Sequence, residues 1–208
     1  MLAASAPAPA SILLHSSFDS DTEGWSVGAF FGTPSVPLTA HEPNGGRSGG
    51  YLATTDQFGN NAFRAPSGWL GNQTRLYGGR LRFYQRASES DGLVAPVVVL
   101  AGNSLILQFR AAPPTSDWTE FSVLLNAGAW EIGDGSGDAS AKLASDEQIL
   151  GVLGDLQWIA FSADWKAGED LVGLDEVSIT DASVPEPSSL TAVAGLAAVA
   201  IAVARRRG

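Results

Sequence analysis

The 208-residue chain contains no cysteine, so disulfides, thiolate metal centres and cysteine nucleophiles are excluded. Histidine is nearly absent: His15 and His41 are the two present, too few for a zinc site or a catalytic system built on several imidazoles. Positive charge is scarce as well. Twelve Lys and Arg against 22 Asp and Glu leave a formal net charge of −10, and Arg205, Arg206 and Arg207 at the end of the chain are among the twelve. So acidic a surface repels phosphate backbones, which argues against a nucleic-acid partner. It favours cations, including calcium with its preference for oxygen ligands. No H-E-x-x-H motif, P-loop or dinucleotide fingerprint occurs. Acids are plentiful, but nothing selects two of them for glycoside hydrolysis. The chain reads as non-catalytic, with a small glycan-active enzyme as the outlying alternative.

What is present is a β-protein vocabulary. Hydrophobic residues make up 45% of the chain, with 24 glycines, 11 prolines and six tryptophans, enough for a core punctuated by turns. Arg80 to Arg86 alternates polar and apolar residues, the period-2 pattern of a half-buried strand. Val97–Leu100 and Leu105–Phe109 are apolar runs around Ala101-Gly102-Asn103, which predicts a hairpin. Further strands are expected at Trp118–Leu125, Trp158–Ala163 and Gly173–Thr180. Ser145-Asp146-Glu147-Gln148 is a capping box that opens one short helix, with Ile149, Leu150 and Leu153 as its buried stripe. Many short strands and one helix predict an all-β, two-sheet sandwich with the helix at one end. Trp25, Trp118 and Trp158 sit in strand patterns and are expected in the core. Trp69 follows Ser67-Gly68 and Trp165 lies in a polar stretch, so these two are the surface candidates for stacking on a sugar ring.

The ends differ from the body. Val184-Pro185-Glu186-Pro187-Ser188 precedes an uncharged apolar run from Leu190 to Ala204, and the three arginines follow. As a helix the run is roughly 24 Å long at about 1.5 Å per residue, close to a bilayer core. A basic cluster on one side orients such a span with its arginines in the cytoplasm. This order of elements resembles the PEP-CTERM sorting signal. The resemblance implies export, a C-terminal transmembrane helix in the inner membrane, recognition by an exosortase, and removal of the tail during processing. Residues 1–15 read as the remnant of a signal peptide and a linker, with small residues around Ala6 to Ala10 and the true start upstream.

The body, residues 16–182, resembles the laminin B domain (laminin domain IV type A). Phe18 to Trp25 looks like its opening strand and Gly49 to Asp56 like the following segment. The most specific match is Ala65-Pro66-Ser67-Gly68-Trp69-Leu70-Gly71-Asn72 followed by Tyr77-Gly78-Gly79-Arg80-Leu81-Arg82-Phe83, where Trp69 replaces a more usual Phe. Val97 to Gly102, Trp118-Thr119 and Gly173 to Val177 fall in the same order. The resemblance implies a jelly-roll sandwich similar to galactose-binding-like and carbohydrate-binding modules. It implies a structural calcium between the first and last strands, for which Asp19 and Asp175 are the candidates and Asp56 a third. It also implies a non-catalytic surface or matrix protein that binds exopolysaccharide or matrix. A structural or adhesive module for another protein is the alternative.

Overall fold

In a computed structural model of the chain, residues 10–30, 40–55, 61–133 and 142–182 are described. Ile12–Ala182 form one compact unit. The other unit, Met1–Ser11 with Ser183–Gly208, lies almost wholly outside the described residues. So do Val184 to Ser188, Arg205 to Arg207, the apolar run between them, and Asp56. No described helix is long and apolar enough to cross a membrane.

The strands in chain order are β1 (Ile12–Ser16), β2 (Ser26–Ala29), β3 (Ala40–Glu42), β4 (Tyr51–Thr55), β5 (Asn61–Arg64), β6 (Arg80–Ala87) and β7 (Ala95–Gly102). They continue with β8 (Leu105–Ala111), β9 (Thr119–Leu124), β10 (Glu131–Ile132), β11 (Lys142–Leu143), β12 (Leu156–Ser162) and β13 (Leu171–Thr180). Among the described residues a single α-helix, α1 (Asp146–Gly154), precedes β12. Two antiparallel sheets result. One is six-stranded in the order β3-β4-β13-β6-β9, with β1 also paired to β13; the other is seven-stranded in the order β11-β10-β8-β7-β12-β5-β2. The expected sandwich and its one helix are both present.

The core lies where the inner faces meet. Phe83 of β6 reaches across to Phe161 of β12 at 4.7 Å, edge to face, and stacks on Phe121 of β9 at 5.2 Å. Trp25 closes one side, with centroids 5.5 Å from Phe18, 5.4 Å from Trp69 and 5.5 Å from Phe161. Each such ring, removed from water, contributes about 1.5–3 kcal/mol.

Several local expectations shift by a residue or two, for physical reasons. The β7–β8 turn is Asn103-Ser104, both at positive φ, so Ala101 and Gly102 belong to the strand. Two left-handed central residues are what a tight hairpin with right-twisted strands requires. The opening strand is β1, and Phe18 to Trp25 is instead a turn with Phe18 at φ 56° and Glu23 at φ 50°. There the Glu23 carboxylate accepts hydrogen bonds from the Ser17 and Phe18 amides, which supplies locally what a strand partner would otherwise supply. In α1 the capping box forms as expected. However, the buried stripe is Ile149, Val152 and Leu153, and Leu150 is exposed, because positions i, i+3 and i+4 share a helix face and i+1 does not.

Candidate functional site

β13 is the strand around which the candidate site is built. It carries Gly173 and Asp175 on the face of the six-stranded sheet that points away from the core. Asp175 lies directly opposite Tyr84 of β6, and Gly173 opposite Arg86. The loop joining β3 to β4, residues 43–50, is rich in glycine and folds toward this strand. Asp175 is fully buried, yet its partners are all main-chain amides. Oδ2 accepts from Arg47 N at 2.5 Å and from Ser48 N at 3.3 Å, and Oδ1 accepts from Glu176 N at 2.7 Å. Burial pushes its pKa up to about 6, and the three amides pull in the opposite direction without restoring the ordinary value.

Oxygen atoms crowd the same loop. A Cβ on Gly46 would lie 2.8 Å from Asp175 Oδ2 and 2.9 Å from the Gly49 carbonyl, and would collide with the Gly50 carbonyl. On Gly49 it would collide with Asp19 Oδ1, and on Gly50 with the Phe18 carbonyl, while lying 3.0 Å from the Glu42 carbonyl. Glycine at these positions is what lets two carboxylates and several carbonyls approach one short segment. Among the described residues no three His, Asp or Glu side chains form a metal cluster. A cation here would be held by Asp19, Asp175 and main-chain carbonyls, a hard-oxygen set that suits calcium and offers nothing to a soft metal. His41 Nε2 lies 2.7 Å from the Phe18 carbonyl and ties that oxygen to β3.

The loop also reaches onto the outer face of the sheet. The Arg47 guanidinium lies over the Tyr84 ring at 5.4 Å, and Arg82 lies over the same ring at 5.2 Å. Arg82 Nη2 donates to Tyr84 Oη at 2.7 Å, and that hydroxyl donates to Glu120 of β9 at 2.6 Å. A second stack stands beside the first. Arg86 sits 4.6 Å from the Tyr51 ring and 4.9 Å from the Trp118 ring, and donates to Tyr51 Oη at 2.7 Å. The Trp118 indole donates to the Gly45 carbonyl at 3.2 Å. Gly173 is the floor of this stack: its missing Cβ would lie 2.9 Å from Trp118 and 3.2 Å from both Arg86 and Tyr51. Such guanidinium–ring contacts add about 0.5–2 kcal/mol each and hold the cations in place.

The expected residues therefore divide. Asp19 and Asp175 both meet the 43–50 loop, and Asp56 lies outside the described residues. Trp69 and Trp165, expected on the surface, are both buried. Trp69 packs edge-on against Trp25. The Trp165 main-chain amide donates to Asp170 at 2.9 Å. Conversely, Trp118 and Trp158, expected in the core, are only partly buried. Trp118 belongs to the outer stack and Trp158 pairs with Arg64 at 5.1 Å on the other sheet. Arg47, Tyr51, Arg82, Tyr84, Arg86 and Trp118 were not singled out as a site by sequence. The one available signal was the arginine at alternate positions of β6.

Known proteins place this architecture. No curated protein matches the chain. Among solved structures, the L4b domain of human laminin alpha-2 is similar with a TM-score of 0.64 at 14% identity, covering 82% of this chain and 98% of that one. An exo-beta-agarase is similar with a TM-score of 0.53 at 10% identity, over 85% of this chain and 26% of that one. The CBM22-1 xylan-binding domain from Paenibacillus barcinonensis has a TM-score of 0.49 at 14% identity, over 86% of this chain and 99% of that one. The family model for laminin B (domain IV) matches residues 62–195, and the chain belongs to that family.

Proposed function

We propose that the chain is a non-catalytic, extracellular binding module for a glycan or matrix polymer, working through the outer face of its six-stranded sheet. The observation that carries this reading is the pair of guanidinium–ring stacks on that face, Arg47–Tyr84–Arg82 and Tyr51–Arg86–Trp118. The partly exposed Trp118 ring offers an apolar surface to the C–H face of a sugar, and fixed guanidinium groups offer paired donors to its oxygens. Membership in a laminin domain family supports an extracellular setting. Calcium belongs to the same reading. Held by Asp19, Asp175 and the carbonyls around Gly46 to Gly50, it would neutralise a buried carboxylate and fix the loop that carries Arg47. Export and sorting through Val184 to Ser188, the apolar run and the terminal arginines complete the proposal, with an exosortase and the inner membrane as partners.

The test is binding of the purified chain to a panel of extracellular polysaccharides, with calcium and with EDTA, alongside Trp118→Ala and Arg86→Ala. Saturable binding that both substitutions weaken supports the reading, and loss in EDTA supports the calcium site. Binding that neither substitution changes removes the face from the proposal. If no polysaccharide binds, the structural or adhesive reading, with a protein partner, takes its place. For sorting, the mature C-terminus is read by mass spectrometry from cells carrying the wild-type chain or Pro185→Ala/Pro187→Ala. Identical termini in the two would sink that part.

A further inference from the structure

We infer that the polymer taken by this face is an acidic polysaccharide, carrying carboxylate or sulfate groups along its length. The inference rests on the binding reading above and narrows it. Arg80, Arg82 and Arg86 occupy alternate positions of β6 and so share its outer side, and Arg47 joins them from the 43–50 loop. Of the twelve lysines and arginines in the chain, four therefore stand on one face of one sheet. Successive outward positions on a strand are about 6.6 Å apart. The arginines thus form a row of cations along the strand, with one interruption, where Tyr84 stands between Arg82 and Arg86.

The arginines outnumber the negative groups that face this row. Glu120 lies 3.7 Å from Arg82 and is half exposed. Asp175, opposite Tyr84, is fully buried and accepts from three main-chain amides, away from the exposed guanidinium groups of the row. Glu176, the next residue on β13, pairs with His15 at 3.0 Å. Arg80 donates to the neutral Ser122 hydroxyl at 2.9 Å. Arg86 and Arg47 stack on rings, contacts that hold a guanidinium while leaving its charge uncompensated. The rest of the chain is strongly acidic, so an anionic polymer is repelled elsewhere and drawn to this row. A neutral glycan can accept from the guanidinium donors but gains nothing from their net charge. Nucleic acid carries anions as well and is separated from an acidic polysaccharide by the test below.

The experiment titrates the full chain with polygalacturonate and dextran sulfate as acidic probes, dextran as the neutral probe, and single-stranded DNA. Arg80→Gln/Arg82→Gln and Arg47→Gln are compared with wild type, and their thermal midpoints are followed as a control for folding. The expected result is binding to one or both acidic probes at least about tenfold tighter than to dextran, weakening steeply as salt rises. The double variant is expected to lose about tenfold or more of the acidic affinity while its thermal midpoint is kept. Preference between the carboxylated and the sulfated probe names the anion, and either preference supports the inference. Equal binding to dextran and the acidic probes overturns it and leaves the broader glycan reading standing. So does acidic binding untouched by both variants. Tighter binding to DNA than to any polysaccharide overturns it in favour of phosphate. Binding to none of these probes overturns the acidic-polymer inference, and the wider polysaccharide panel then decides the glycan reading.

Discussion

The two sheets turn different surfaces outward. On the seven-stranded sheet, cross-strand partners Ser26, Arg64, Ala160, Val99, Gln108 and Glu131 form one row. Its centre is sealed. Val99, Ala160 and Gln108 are fully buried, and Phe30, Ile106 and Trp158 pack around Ala62, Val99 and Ala160 as a second apolar cluster. Gly133 lies against the Gln108 amide so closely that a Cβ there would be 2.7 Å from it. On the six-stranded sheet, the corresponding side of β6 presents Arg80, Arg82, Tyr84 and Arg86. The Arg82 side chain is half exposed. Small apolar side chains leave space that other groups fill, and the face closes. Arginines laid across rings cover the apolar surface themselves and keep their charged heads in water, so the face stays open. Burial of aromatic rings alone does not tell the two apart, since Tyr84 is as buried as many core residues.

The largest expected difference between the faces is in tolerance of charge. Val99→Asp places a carboxylate in the sealed row and should cost about 4 kcal/mol or more, read by urea unfolding. A loss below about 1 kcal/mol, the range of ordinary surface changes, would mean that the row is open and the contrast is false.

The next effect lies at the junction of the open face with the 43–50 loop. The folded chain holds the Asp175 proton up to about pH 6, whereas the ordinary value is 3.8. Between those values the folded state binds more protons than the unfolded one. In EDTA, the Asp175 contribution therefore declines as pH rises from about 4 to about 6, by up to roughly 3 kcal/mol, and does not return at neutral pH. Calcium binds the ionised form, so its addition should reverse the slope over the same window. Other carboxylates titrate nearby in pH, so the readout is wild type minus Asp175→Asn in unfolding experiments. Parallel profiles for the two proteins in EDTA would show that burial of this carboxylate carries no such cost.

A smaller effect is expected at Gly49, which has φ +73° and would drive a Cβ into Asp19. Gly49→Ala should cost about 2 kcal/mol from backbone strain and displacement of the carboxylate and should weaken calcium binding in calorimetry. Gly68→Ala, where nothing lies within 4 Å, is the control and should be near neutral. Equal effects at the two glycines would remove the crowding argument for the oxygen cradle.

The sequence made some of this legible and concealed the rest for physical reasons. β6 and the capping box of α1 are visible because their signals are local: period-2 alternation from Arg80 to Arg86, and Ser145 three residues before Gln148. β5 is not, because Asn61, Ala62, Phe63 and Arg64 are all buried, so no alternation marks the strand. The choice of Asp19 and Asp175 came from a family resemblance, not from spacing, and the carbonyls of the 43–50 loop that each of them approaches carry no side-chain signal at all. Tyr51, Arg86 and Trp118 meet only through strand pairing across long sequence separations. Trp69 and Trp165 were misplaced because polar neighbours in sequence do not report what a ring touches after folding.

The smallest stability effect is the one that bears most directly on function. Arg82 is half exposed, and its ion pair with Glu120 spans 3.7 Å between partners both open to solvent. Such pairs contribute about 0–1 kcal/mol, and the contact with the Tyr84 ring adds a similar amount at most. Arg82→Gln removes the charge, the ring contact and the hydrogen bond to Tyr84 at a half-exposed site, so its unfolding midpoint should move by little. The same substitution on the sealed face, Arg64→Gln beside Trp158, acts on a guanidinium that is nine-tenths buried and whose pKa burial already lowers. It should shift stability more than Arg82→Gln does. If the order were reversed, the open face would be the one committed to holding the sandwich together, and its arginines would not be available for a ligand.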